Sequence, residues 1–144
     1  MRNTQLLIGI VIAVLIAVVL SIAGPLRVAW HRMAADQGWR LAEYNLGAMY
    51  VRGQGAKQDY AEAVNWFRKA ADQGVARAQY NLGVMYAHGL GVAQDKAFAF
   101  MWLNLASAQG LEVARSARDK LAASMTPDQT AEAQRLAREW KPTR

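Results

Sequence analysis

The chain has 144 residues, no cysteine, five tryptophans, five tyrosines and a formal net charge of +6, which leaves room for one modest domain. Without cysteine there can be no disulfide staple, thiolate metal site or cysteine nucleophile. The basic residues are interleaved with acids such as Asp72, Glu112, Asp119 and Glu139, and a nucleic-acid footprint needs cations gathered on one face, so no nucleic-acid partner is expected.

The first predicted element is a hydrophobic helix. From Leu6 to Ala23 no residue carries a charge, and at 1.5 Å per residue these roughly 18 residues reach about 27 Å, enough to cross a hydrocarbon core. Residues 1–24 are therefore expected to be a transmembrane anchor or a signal peptide, with the membrane as a partner through residues 6–23. The length of the run favours an anchor. The small residues Ser21-Ile22-Ala23 fit peptidase cleavage after Ala23. Arg2 on one side faces Arg27, Arg32 and Arg40 on the other, so flanking charge alone does not set the orientation. The usual outcome for such a leader puts the domain outside the cytoplasm, on the periplasmic side, or free there after cleavage.

Residues 25–38 read as a second helix without its first, the leader standing in for the missing partner. Ala34-Ala35-Asp36-Gln37-Gly38 then returns unchanged as Ala70-Ala71-Asp72-Gln73-Gly74. The same shift of 36 carries Tyr44-Asn45-Leu46-Gly47 onto Tyr80-Asn81-Leu82-Gly83, Gly53 and Gly55 onto Gly89 and Gly91, and Trp30 onto Trp66 and Trp102. A fixed period of this size is the signature of a repeat array. The units are residues 39–74 and 75–110.

Each unit parses as two helices. Asp59 is expected as N-cap with Glu62 three residues on, a capping box. Gly74 ends that helix, and Gly53-Gln54-Gly55 and Gly89-Leu90-Gly91 allow the reversal between helices. Ala78, Leu82, Gly83 and Tyr86 form an apolar stripe on a first helix. Ala63, Val64, Phe67, Ala70 and Ala71 form one on a second helix, with Trp66 at its shoulder. One hairpin cannot hide such a stripe alone, and stacked hairpins can. The expected fold class is all-α, an αα-hairpin repeat solenoid preceded by a hydrophobic helix.

These residues resemble the Sel-one-like repeat, a relative of the tetratricopeptide repeat, with its Ala, Leu-Gly, Tyr, Gly-x-Gly, Asp, Ala, Trp, Ala-Ala and Gln-Gly positions. The resemblance covers residues 26–140 or so and is densest in the two central units. It implies a right-handed superhelix that serves as a protein-interaction scaffold, often exported or associated with a bacterial envelope.

At the far end, residues 111–140 are expected as a capping hairpin. Arg118-Asp119 stands where the Leu-Gly pair would be, and Thr126-Pro127-Asp128-Gln129 supplies a Thr N-cap with Pro at the first helical position. Ala133, Leu136, Ala137 and Trp140 share one face of the last helix. Phe98 to Leu105 is apolar on every side, which fits a helix buried between neighbours or a patch that meets a partner or bilayer.

No catalytic constellation emerges, and no enzyme, cofactor or metal is expected. His31 and His88 are the only histidines and lack an acid at metal-pair spacing. His88 suits a helix C-terminus. The Gly-x-Gly pairs lack the preceding strand and third glycine of a phosphate loop. The expected function is a scaffold or adaptor for a protein or peptide partner. An envelope hydrolase of the repeat family and a structural subunit of a membrane assembly are the alternatives. By resemblance to the tetratricopeptide fold, the outward face of the first helices is the expected partner groove: Leu41, Tyr44, Ala48 and Arg52 in one unit, Arg77, Tyr80, Val84 and His88 in the next, with Val51 and Ala87 beside them. Both tyrosines also fit a purely packing role between hairpins.

Overall fold

The computed structural model describes residues 2–143, with side chains described from Leu7 onward, Gly9 and Leu20 excepted. Seven helices follow one another and, among the described residues, there is no strand: α1 Arg2–Asp36, α2 Arg40–Arg52, α3 Tyr60–Asp72, α4 Ala76–His88, α5 Lys96–Ala108, α6 Glu112–Ala122 and α7 Pro127–Glu139. The expected stripes are the core. Leu46, Ala63, Phe67, Ala70, Ala78, Leu82, Ala99 and Leu103 are all but sealed from solvent. Packing runs α1 on α2, α2 on α3, α3 on α4 and α4 on α5, as a stack of hairpins requires.

Local chemistry sets the helix ends. The Asp59 and Asp95 side chains accept from the backbone N–H of Glu62 and Phe98, each at 3.0 Å. The reciprocal half of the expected capping box is absent at Asp59. Its own N–H donates to the Tyr50 carbonyl at 3.0 Å, and the Glu62 carboxylate turns instead to accept from the Trp66 indole at 3.1 Å and to face Arg32 at 3.6 Å. The complete box lies at Thr126 and Gln129.

Close approach within each hairpin depends on one glycine of the Leu-Gly pair. A Cβ on Gly47 would lie 2.8 Å from the Phe67 ring, and one on Gly83 would lie 2.8 Å from Leu103, so only glycine lets these helices meet so tightly. A buried polar ladder tracks the same period. Gln73 donates to the Glu43 carboxylate at 2.6 Å and Gln109 donates to the Gln79 amide at 2.8 Å, while Gln79 donates to the Ala71 carbonyl at 3.2 Å. Arg32 likewise bonds the Tyr50 hydroxyl and Arg68 the Tyr86 hydroxyl, second helix to the following first helix.

Two features depart from expectation. The leader and residues 25–38 are not two helices. α1 runs unbroken through Gly24 and Pro25 to Asp36, so the leader extends the first second-helix in line and does not fold back as its missing partner. Nor do α6 and α7 close as the earlier pairs do: each packs on α5. Trp140 sits edge-on to Trp102 with ring centroids 6.1 Å apart, and the tail reaches α3, where the Thr143 N–H donates to the Asp72 carbonyl at 2.7 Å. In the apolar segment from Phe98 to Leu105, Ala99, Met101, Trp102 and Leu103 are buried, Phe100 and Leu105 are half-buried, and Phe98 stays exposed at the margin, its ring stacked on Tyr86 at 5.4 Å.

Candidate functional site

The first helices of successive hairpins, with the starts of the second helices, shape two depressions along one side of the stack. The first, about 270 Å³, is lined by Ala48, Val51 and Arg52 of α2, Tyr60 and Phe67 of α3, Tyr80, Asn81, Val84 and Met85 of α4, and Leu90. The second, about 400 Å³, is lined by Val84, Ala87 and His88 of α4, Lys96 and Leu103 of α5, and Ala117, Lys120, Leu121 and Ser124. Adding 36 to Ala48, Val51, Arg52, Tyr60, Phe67, Asn81, Val84 and Met85 gives Val84, Ala87, His88, Lys96, Leu103, Ala117, Lys120 and Leu121. The two hollows are therefore one structural position repeated, and Val84 belongs to both.

Of the expected groove residues, Ala48, Arg52, Tyr80 and Val84 come together in the first hollow, and Val84 and His88 in the second. Leu41, Tyr44 and Arg77 line neither. Leu41 and Arg77 are exposed, and the half-buried Tyr44 packs on Phe67, ring centroids 5.8 Å apart, behind the wall of the first hollow. Sequence reasoning did not single out Lys96, Lys120 or Leu121 as groove residues, although the 36-residue shift from Tyr60, Val84 and Met85 reaches them.

The lining has a definite electrostatic sign. Its floor is aliphatic and aromatic, its rim carries Arg52, His88, Lys96 and Lys120, and no carboxylate lines either hollow. Lys96 is held in place by donating to the Ser124 carbonyl at 2.9 Å. The groove therefore has apolar floors beneath the cations Arg52, Lys96 and Lys120, with the His88 ring among them, which suits a ligand that alternates apolar groups with acceptors or carboxylates.

A larger hollow of about 530 Å³ lies on the other flank, among Arg68, Asp72, Tyr86, Trp102, Leu136 and Trp140. Burial raises the Asp72 carboxyl above its usual value, opposed by the nearby Trp140 indole and the Arg68 charge. The indole N–H groups of Trp102 and Trp140 are buried without an acceptor at full hydrogen-bond geometry. Among the described residues, no group of three or more His, Asp or Glu side chains is placed to hold a metal.

The family model for the Sel1 repeat matches residues 28–39, 40–75 and 76–111, the same period as the sequence units, one residue later. Among solved structures, a protective antigen present in uropathogenic Escherichia coli strains, described as displaying an SLR fold, is 36% identical with a TM-score of 0.76, covering 78% of this chain and 24% of that one. A Sel1 repeat protein from Oxalobacter formigenes is 30% identical with a TM-score of 0.65, covering 72% of this chain and 45% of that one. The chain thus spans less than half the length of either. Comparison with curated proteins returns no match.

Proposed function

The chain belongs to the Sel1 repeat family, and from that premise we propose that it is a membrane-tethered, non-enzymatic scaffold whose first-helix groove holds an extended, acidic segment of another protein. The observation that carries this reading is the repetition of one hollow at a 36-residue spacing, open from one unit to the next, with cations on its rim and none of the matching acids. An extended chain reads such a surface by alternating apolar side chains over the floors with carboxylates toward Arg52, His88, Lys96 and Lys120.

The tether is supported by α1: among the described residues one helix is long and apolar enough to cross a membrane. Residues 1–24 act as the anchor, and residues 25–140 form the domain it presents outside the cytoplasm. Held beside a bilayer, the groove meets partners at a raised effective concentration, so modest affinity suffices.

The test uses a photo-crosslinking side chain at Tyr80 and, as control, at the exposed Arg135, in the full chain in its own membranes. Crosslinks expected at Tyr80 and not at Arg135 should disappear when Arg52 and Lys120 are changed to Glu. Equal capture from both positions, or capture at Tyr80 indifferent to the charge reversals, refutes the groove.

A further inference from the structure

We infer that the repeat domain is mounted rigidly on its anchor, with the turn edge of the solenoid seated in the lipid headgroup layer. This rests on the tether proposed above, and what it adds is orientation and a second contact with lipid.

The observation is a repeated backbone contact. At Gly91, in the turn of the second hairpin, an added Cβ would collide with the backbone of Tyr60, where α3 begins. At Gly55, in the turn of the first hairpin, it would collide with the backbone of Gly24. Residues 24 and 60 stand 36 apart, as do 55 and 91. Gly24 therefore occupies the position of a second-helix start, and the turn Gly53–Gln58 rests against it as the next turn rests against α3. In α3 and α5 an Asp side chain caps the helix at this point. In α1 there is no end to cap, because the helix continues back into the apolar run.

The geometry follows from that continuity. The domain hangs on a helix that is already one of its own packed elements, with no flexible linker between. If residues 6–23 fill the hydrocarbon, Gly24 lies at its boundary and so does the turn that touches it. A headgroup layer is about 5 to 8 Å deep on each side. At 1.5 Å per residue, Leu26 lies about 3 Å beyond Gly24, within that layer, and Trp30 about 9 Å, at its outer edge with a side chain that leans back toward the helix N-terminus, while Met33 lies about 14 Å and Gln37 about 20 Å beyond, outside it.

The surface at that depth has the chemistry of an interface. Leu26 and Trp30 lie four residues apart on one face of α1, exposed by 62% and 60%, and the stripe continues outward to Met33, at 55%. The equivalents of Trp30 in the later units, Trp66 and Trp102, are exposed by only 6% and 4%. An aromatic side chain left open next to an apolar span fits the belt that Trp forms at headgroup level. Arg27 and Lys57 are exposed beside it, no acid precedes Asp36, and the nearest acids are engaged: Asp59 caps α3 and Glu62 faces Arg32. Anionic lipid suits this edge.

The absence of cysteine permits a direct test on the full chain. Leu26→Cys, Lys57→Cys and Gln37→Cys variants, each carrying a polarity-sensitive fluorophore, are reconstituted in vesicles of phosphatidylethanolamine and phosphatidylglycerol containing a headgroup-nitroxide lipid. Quenching at positions 26 and 57 should exceed that at 37 several-fold. A flexible Gly-Ser insertion between Ala23 and Gly24 should erase the difference between 57 and 37 while the chain stays in the vesicle. Equal quenching at 57 and 37 in the uninserted chain, with the protein resistant to alkaline carbonate, overturns the mount and leaves the tether standing. Extraction by alkaline carbonate overturns both. Shielding of position 26 that requires no lipid and grows with protein concentration assigns the edge to a second copy and overturns the mount.

Discussion

Replacing Gly91 with alanine tests the backbone docking that sets the spacing between hairpins. Two costs arise there. Gly91 has φ +67°, a left-handed conformation that costs an L-residue about 1–2 kcal/mol. Its new Cβ would also meet the Tyr60 backbone, which cannot rotate away, and overpacking of this kind costs about 1–3 kcal/mol. Gly110→Ala supplies the control, because Gly110 has φ +87° but no atom within 4 Å of an added Cβ, leaving only the conformational cost. The two variants should differ by about 1–3 kcal/mol, or roughly 4 to 12 °C for a domain of this size. The assay is thermal unfolding of the full chain in detergent, followed by near-ultraviolet dichroism of the tryptophans. Equal losses in the two variants would refute the idea that turn-to-helix backbone contact fixes the stack.

Two further outcomes are expected. Glu43 is 3% exposed and burial raises its carboxyl above 4.5, opposed by the charge of Lys69. The folded state therefore holds that proton more tightly than the unfolded chain, and stability falls as pH rises from 4.5 through the raised value. Glu43→Gln copies Gln79, which is fully buried and bonded on both sides. It should raise the unfolding midpoint at pH 7, with the gain vanishing near pH 4, and a gain independent of pH would contradict the burial argument. Asp95→Ala removes the acceptor for the Phe98 N–H and should lower stability by about 1 kcal/mol in urea titration, whereas Asp128→Ala, at a helix already capped by Thr126, should change it far less.

Most of the fold was legible because the period fixes it. Once Ala34–Gly38 and Ala70–Gly74 are seen to coincide, the helix pairs, the glycine approaches at Gly47 and Gly83, and the buried stripes follow from local rules. The partner of each stripe is its own image one unit on. What the sequence hid were contacts that depend on position in the stack. Glu62 reads as half of a capping box until Arg32 and Trp66 are seen beside it. Pro25 lies in the interior of α1, where it removes the ladder bond to the Ser21 carbonyl, and the helix continues through it to Asp36 because the repeat packs the part beyond it. The groove was half legible. Arg52, Tyr80, Val84 and His88 fell on it, but Lys96 and Lys120 come from a second helix and from α6, and only the shift applied to the whole lining finds them.

The array differs at its two ends, and two substituted positions explain the shape of the far one. The step from Gly47 to Gly83 leads next to Asp119, and the step from Phe67 to Leu103 leads to Glu139. A third hairpin of the same kind would press one carboxylate against another in a space built for a ring against a bare backbone, and burying two unpaired acids costs more than the contact returns. α7 is thus free to take another seat. Its apolar positions, Ala133, Leu136 and Trp140, find it on α5 beside Trp102, and Glu139 remains outside, paired with Arg135 at 2.6 Å. α6 is left as the last layer, and it tolerates this because only Ala114 of that helix is buried. No such substitution closes the near end. There Trp30 keeps the repeat's tryptophan while Leu26 and Met33 stand where the next unit has Glu62 and Lys69, and all three are exposed, an apolar stripe that calls for an apolar or amphipathic cover. The helix that carries them leads directly into the segment that would bring that cover.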